Sequence, residues 1–226
     1  MRMPESGLVS RAIARGREAS VDPLDVRKAA GARGNASSSG QLRALIVALI
    51  GLPGAGKSTI ARALEQQLGM RRVCRDAIRH AMFPRCDYSF VEKRAAFRTL
   101  LLALEINCLL GESSVIDGMT FSRREDYDQV VALADAHGFD ILPLLIDCPP
   151  ALARERIARD IVAGDLLGSG HPARDREPAL VDLVAGRFDP PPASAIRIDA
   201  TRPLPEMCRL AIAEAAARIG RDPARA

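Results

Sequence analysis

Residues 44–50, ALIVALI, run directly into Gly51-Leu-Pro-Gly-Ala-Gly-Lys-Ser-Thr59, and a helical apolar period over residues 58–68 follows without a gap. This succession limits the fold more than any other feature. An unbroken apolar run of that length reads as a strand buried on both faces. The glycines let backbone N–H groups turn toward one point, and the free N–H groups of the next helix face the same point. Gly69 ends that helix. Gly51, Gly56, Lys57 and Ser58 fill the fixed positions of G-x-x-x-x-G-K-[ST], so the strand–loop–helix context that this pattern requires is present.

Only three of the 32 basic residues are lysine, and Lys57 is one of them. A compact ammonium can reach the β- and γ-phosphates of a nucleotide, whereas the planar arginine fork differs in bulk and hydration. The Ser58 hydroxyl can ligate Mg²⁺. The stretch therefore predicts a magnesium–nucleoside triphosphate site in which Gly51, Pro53, Gly54, Ala55, Gly56, Lys57, Ser58 and Thr59 form the cradle. No N-K-x-D occurs, so guanine selectivity of the GTPase kind has no support.

The alternation continues along the chain. Strands are predicted over residues 44–50, 72–74, 114–117, 141–146 and 195–199. Helices are predicted over 58–68, 77–83, 89–110, 123–137, 150–163, 178–187 and 205–219. Phe90, Phe97, Leu101, Leu104 and Cys108 give the long helix one core stripe, and Ser122 with Glu125 reads as a capping box for the next. Strands alternating with helices predict an α/β P-loop NTPase fold, a five-stranded parallel sheet with helices on both faces and a small helical lid. The predicted organisation is a disordered basic extension over residues 1–42 and one domain over 43–226, with the lid at about 154–187. Within it, the Gly-rich residues 164–176 read as mobile.

Charge separates along the same boundary. Residues 1–43 hold eight basic and four acidic residues, which accounts for the whole formal charge of +4. The remainder is neutral, which disfavours a long polyanionic footprint. Five scattered cysteines without C-x-x-C and three histidines without ligand spacing predict idle thiols and no zinc site. No apolar run suits a membrane span or a signal peptide, so the expected location is cytoplasmic.

The metal's second ligand should end a neighbouring strand. Asp117, Asp147 and Asp199 each do so, and Asp117 is favoured because the third strand would normally adjoin the first. Asp76 and Arg79 share a helical face; an Asp there can take the proton of an attacking hydroxyl while the Arg holds a negative group. The same spacing also suits a capping Asp beside a surface Arg.

GLPGAGKSTIARAL, RDAIRHAM, SVIDGMTFSRR, LLIDCPPALARERIARD and RFDPPPASAIRIDATRPLPE, in that order, resemble the small P-loop kinases. These include the polynucleotide 5′-hydroxyl kinase domain, the zeta toxins and the chloramphenicol phosphotransferases. The resemblance spans about residues 44–215. It implies Asp76 as general base, Arg79 as a substrate-binding residue, and Arg156 and Arg159 as lid arginines meeting the transferring phosphate, with Arg154 in reserve. Their i, i+3 spacing departs from the i, i+4 pair common in polynucleotide kinases. The loop 200–203 resembles the segment beside the adenine. Phe83, Tyr88, Phe90 and Phe97 are either acceptor contacts or core.

The implied activity is γ-phosphoryl transfer from MgATP to a hydroxyl of a small-molecule or nucleotide-like acceptor. Two alternatives stand beside it. A polynucleotide 5′-hydroxyl kinase would need a local basic footprint from Arg71, Arg72, Arg75 and Arg79. A nucleotide-dependent switch would need only Lys57, Ser58 and Asp117.

Overall fold

Alternate residues of β1 (Leu45–Ile50) enter two separate cores. Leu45, Val47 and Leu49 face one layer of helices, while Ile46, Ala48 and Ile50 face the other. That period of two is what a strand covered on both sides requires. The structure is a computed structural model that describes residues 44–163 and 177–219. The predicted extension over residues 1–42 and the Gly-rich residues 164–176 lie outside the described residues.

The remaining strands are β2 (Arg71–Cys74), β3 (Ser114–Asp117), β4 (Asp140–Asp147) and β5 (Ile196–Asp199). They pair in the order β2-β3-β1-β4-β5, every pair parallel. The helices are α1 (Lys57–Leu68), α2 (Arg75–Met82), α3 (Phe90–Leu109), α4 (Arg124–Ala136), α5 (Pro150–Val162), α6 (Pro178–Ala185) and α7 (Leu204–Ile219). Helices α1, α5, α6 and α7 pack on one face, and α3 and α4 on the other. The fold class is therefore the one predicted. No helix among the described residues is long and apolar enough to cross a membrane.

The topology places a crevice. Strands β1 and β3 are hydrogen-bonded neighbours, yet α1 leaves β1 toward one face and α4 leaves β3 toward the other. At such a switch point the carboxyl ends of the two strands are left open between diverging helices, which is where ligands bind in open parallel sheets.

Two local expectations are corrected. The core stripe of α3 is Ala96, Phe97, Leu100, Leu104 and Cys108, whereas Phe90 is 69% exposed. The inward position of the first turn belongs to Glu92, four residues before Ala96, which turns Phe90 to solvent. Ser122 does not cap α4. The cap residue is Arg123, and the Arg124 N–H donates to Asp189 Oδ2 at 2.7 Å. Asp189 in turn donates its own N–H to the Ser122 carbonyl at 2.9 Å. A capping carboxylate arriving from so far along the chain has no signature in the local sequence. Asp189→Ala should cost about 1 kcal/mol in urea unfolding, as loss of an N-cap does, and Ser122→Ala should cost less.

Candidate active site

The glycine loop is shaped by what lies against it. Gly54 has φ +79°, and a β-carbon there would come within 2.5 Å of the Ala153 carbonyl on α5. Helix α1 starts from Gly56, in the left-handed region, without a side-chain cap. Its first N–H groups therefore remain available to an anion. The Lys57 ammonium is buried at 8% exposure and donates to the carbonyls of Gly51 and Leu52 at 2.8 and 2.7 Å. These bonds hold the cation across the loop. The Gly51 N–H donates to the Thr120 carbonyl at 3.1 Å, which ties the loop to the segment after β3.

Of the three strand-end acids, the structure brings Asp117 to the loop. Ser58 Oγ donates to Asp117 Oδ1 at 2.8 Å, and the Gly118 N–H donates to the same oxygen at 2.7 Å. Asp147 instead accepts from Arg197 at 2.6 Å, and Asp199 accepts from the N–H and hydroxyl of Thr201. Arg72 was not singled out for this place. Its guanidinium donates to Asp117 Oδ2 and to Glu65 on α1, both at 3.0 Å. The two oxygens of Asp117 are thus oriented differently, Oδ1 toward the loop and Oδ2 toward β2. A serine hydroxyl and a carboxylate are hard oxygen donors that suit Mg²⁺. Among the described residues no cluster of His, Cys, Asp or Glu would hold a metal alone, so phosphate oxygens would have to complete the shell. Burial, and then the Asp117 charge, push the nearby Cys74 thiol up to about 11, which keeps it protonated.

Asp76 and Arg79 occupy the other side of the crevice, in the first and last turns of α2. Both are buried, at 4% and 1% exposure. Arg75 Nη2 and Arg79 Nη2 lie 3.1 and 3.4 Å from Asp76 Oδ1. The surface-Arg reading of Arg79 is therefore corrected: the guanidinium is among the largest fully buried groups of the described residues. It stacks 4.4 Å from the centre of the Tyr88 ring. Phe97 is core, while Phe83 is only partly buried.

Gly118 joins the two carboxylates. It follows Asp117 with φ +72°, and a β-carbon there would lie 2.9 Å from the Asp76 nitrogen and 3.1 Å from its carboxylate. That distance is below any comfortable contact, and the backbone atom cannot yield as a flexible side chain would. Gly118→Ala should displace Asp76 and reduce turnover by at least about tenfold, while nucleotide affinity, measured by calorimetry, falls much less.

A cavity of about 610 Å³ connects these groups. Pro53, Gly54, Gly56, Lys57, Ser58 and Thr59 line it from the loop, and Arg75, Asp76 and Arg79 from α2. Arg156 and Arg159 of α5 also border it. Arg156 donates to the carbonyls of Ala55 and Ala200 at 3.3 and 2.8 Å, so it bridges the glycine loop and the 200–203 turn. Arg154 pairs instead with Asp182 of α6. Lys93 of α3, Arg62 of α1 and Arg187 after α6 also border the cavity, and their distance apart in the chain gives them no shared sequence signal. Of the four arginines required for a local nucleic-acid footprint, Arg71 is paired with Glu112 and Arg72 with Glu65 and Asp117.

A parallel sheet in this order, with a lysine-bearing glycine loop at the switch point and an acid at the end of the adjacent strand, defines a P-loop nucleotide-binding fold of the small-kinase type. A family profile described as an AAA domain matches residues 46–159, about half of the chain, and the chain belongs to that family. No curated protein matches it significantly. Solved structures share the fold at low identity. One is a candidate kinase from Chloroflexus aurantiacus, at TM-score 0.60 and 21% identity, covering 80% of this chain and 100% of that one. A second is the Mycobacterium tuberculosis APS kinase in complex with AMPPNP and APS, at TM-score 0.56 and 18% identity, covering 76% and 98%. A third is a gluconokinase from Sinorhizobium meliloti, at TM-score 0.54 and 18% identity, covering 78% and 93%.

Proposed function

We propose that this protein is a phosphotransferase that moves the γ-phosphoryl group of MgATP to a hydroxyl of a small-molecule or nucleotide-like acceptor. The observation that carries this reading is the buried carboxylate of Asp76, set across one cavity from the Lys57 loop. A nucleotide switch needs the loop but has no use for a second carboxylate, which burial makes costly to hold. The kinase-type neighbours share the fold and are consistent with transfer.

In this mechanism the glycine loop and the first turn of α1 hold the phosphates through backbone N–H groups. Lys57 balances charge on the transferring group, and Arg159 adds to it from α5. Arg156 fixes the loop against the 200–203 turn. Ser58 and Asp117 would hold Mg²⁺, which supplies charge neutralisation on the phosphates. Asp76 orients the acceptor hydroxyl and takes its proton. The acceptor oxygen bonds to the γ-phosphorus as the bond to the β-phosphate oxygen breaks, and ADP leaves.

The test is transfer of label from γ-labelled ATP with Mg²⁺ to a panel of sugars, nucleosides, nucleotide sugars, hydroxylated antibiotics and 5′-hydroxyl oligonucleotides, with Asp76→Ala as control. Label on an acceptor that disappears in the variant is the expected result. Label released only as inorganic phosphate, equally by both proteins, would replace the kinase reading with the switch.

A further inference from the structure

Helix α3 is apolar on two sides. Phe97, Leu100, Leu104 and Cys108 pack into the core beneath it. Its outer side carries Val91, Leu102 and Ile106, exposed at 72%, 55% and 49%, and Leu110 at its end is exposed at 63%. Ala95 and Leu109, both partly exposed, fall on the same side. Residues 99–110, TLLLALEINCLL, contain a single charge, Glu105. A helix that packs on one side only carries polar and charged residues on the other, whereas a helix apolar all round is covered all round. Single exposed apolar side chains need no explanation. A line of them along about five turns of one helix does.

Two charges edge this line. Arg98 and Glu105 are both exposed and lie seven residues apart, so they leave the same flank of α3 two turns from each other. Glu105 lies 3.8 Å from His137, and Arg94 of the same helix is engaged by Asp126 of α4. The midpoint between Arg98 and Glu105 falls at Leu101–Leu102, in the middle of the apolar line. When two such helices pack antiparallel about a two-fold axis at that midpoint, the Arg98 of each copy comes beside the Glu105 of the other. The same operation brings the two Leu102 side chains together at the axis and sets the small Ala95 against the large Leu109. A parallel pair would leave the charges on opposite sides of the seam.

We infer that α3 is the interface of a homodimer, in which two copies of this chain pack their α3 helices antiparallel across Leu102, with Arg98 and Glu105 fixing the register. The occupant of the face is a second copy because the face is complementary to itself, small against large and positive against negative, as a two-fold contact requires. A helix resting on an anionic membrane would border its apolar line with cations, whereas here the flank carries one charge of each sign. The inference stands apart from the transfer reaction and needs no ligand in the cavity.

Sedimentation equilibrium of the full chain across the micromolar range tests it, since a single helix pair belongs to the small end of stable interfaces. Wild type should show a species of twice the monomer mass that dissociates on dilution. Leu102→Asp places two carboxylates at the axis and should weaken association at least about hundredfold, with the circular-dichroism spectrum unchanged. Arg98→Glu and Glu105→Arg should each weaken it about fivefold to thirtyfold, because each sets like charges together twice per dimer. Combining the two substitutions should restore the native affinity, a result that only this register predicts.

A monomer at every concentration overturns the inference. Flotation of that monomer with anionic vesicles, lost in Leu102→Asp, would assign the face to a membrane surface instead. A dimer left intact by Leu102→Asp places the interface elsewhere and overturns it equally. A dimer broken by Leu102→Asp but not restored by the combined charge exchange would refute the antiparallel register.

Discussion

Asp76→Asn should keep nucleotide affinity and lose phosphoryl transfer by roughly 10²- to 10⁴-fold, the contribution of a positioned general base. The substitution preserves shape and leaves an oxygen for Arg75 and Arg79, which lie 3.1 and 3.4 Å from Oδ1 in the native protein. What it removes is the negative charge and the ability to accept a proton. Burial sharpens the prediction, because at 4% exposure bulk water has little access to substitute as the base. The measurement pairs single-turnover transfer with nucleotide calorimetry. Transfer near the native rate would take Asp76 out of the mechanism. A collapse of both transfer and nucleotide binding, with a lowered thermal midpoint, would reassign Asp76 to a structural role beside Gly118.

Lys57→Ala should lose roughly 10²- to 10³-fold in transfer, comparable to removing one preorganised charge-stabilising donor from an active site. Unlike the Asp76 variant, it should also weaken nucleotide binding. Lys57 has two duties in this geometry. Its ammonium bonds the Gly51 and Leu52 carbonyls at 2.8 and 2.7 Å, and it supplies a cation at the start of α1. Alanine leaves both carbonyls without that donor and removes the charge. Lys57→Arg should not rescue, since the planar fork is bulkier and cannot sit between two carbonyls of the same loop as a compact ammonium does. Calorimetric nucleotide titration beside the transfer assay checks both parts, and full activity in either variant would refute the assignment of Lys57.

The contrast between the two variants follows from how each site is built. The loop is a nine-residue run whose strand, turn and helix are neighbours in the chain. Its chemistry was therefore legible from the order of residues, and so were the central strands β1, β3 and β4, whose apolar runs reflect burial on both faces, whereas the edge strands β2 and β5 each bury one residue. Asp117 was legible only as one of three similar strand ends. The pairing of β3 with β1 puts its carboxylate 2.8 Å from Ser58, while the same residue type in β4 turns to Arg197.

Other features had no local signature. The Asp189 cap, the Arg72 bridge to Glu65 and Asp117, and the Gly118 approach to Asp76 each join separate elements. The Tyr88 stack on Arg79 is a closer case: a serine and a glutamate three apart could have signalled the cap of α3, but not that Glu92 would hold the preceding loop in a left-handed turn. The amino-acid sequence by itself determined a phosphate-binding loop, a doubly covered parallel sheet and the residue types that the proposed transfer would use, because these depend on periodicity and on spacings of a few residues. Which acid meets the loop, and where the cavity gathers its positive charge, was decided by strand order and helix packing, because those forces act between groups that only the folded chain brings within a few ångströms.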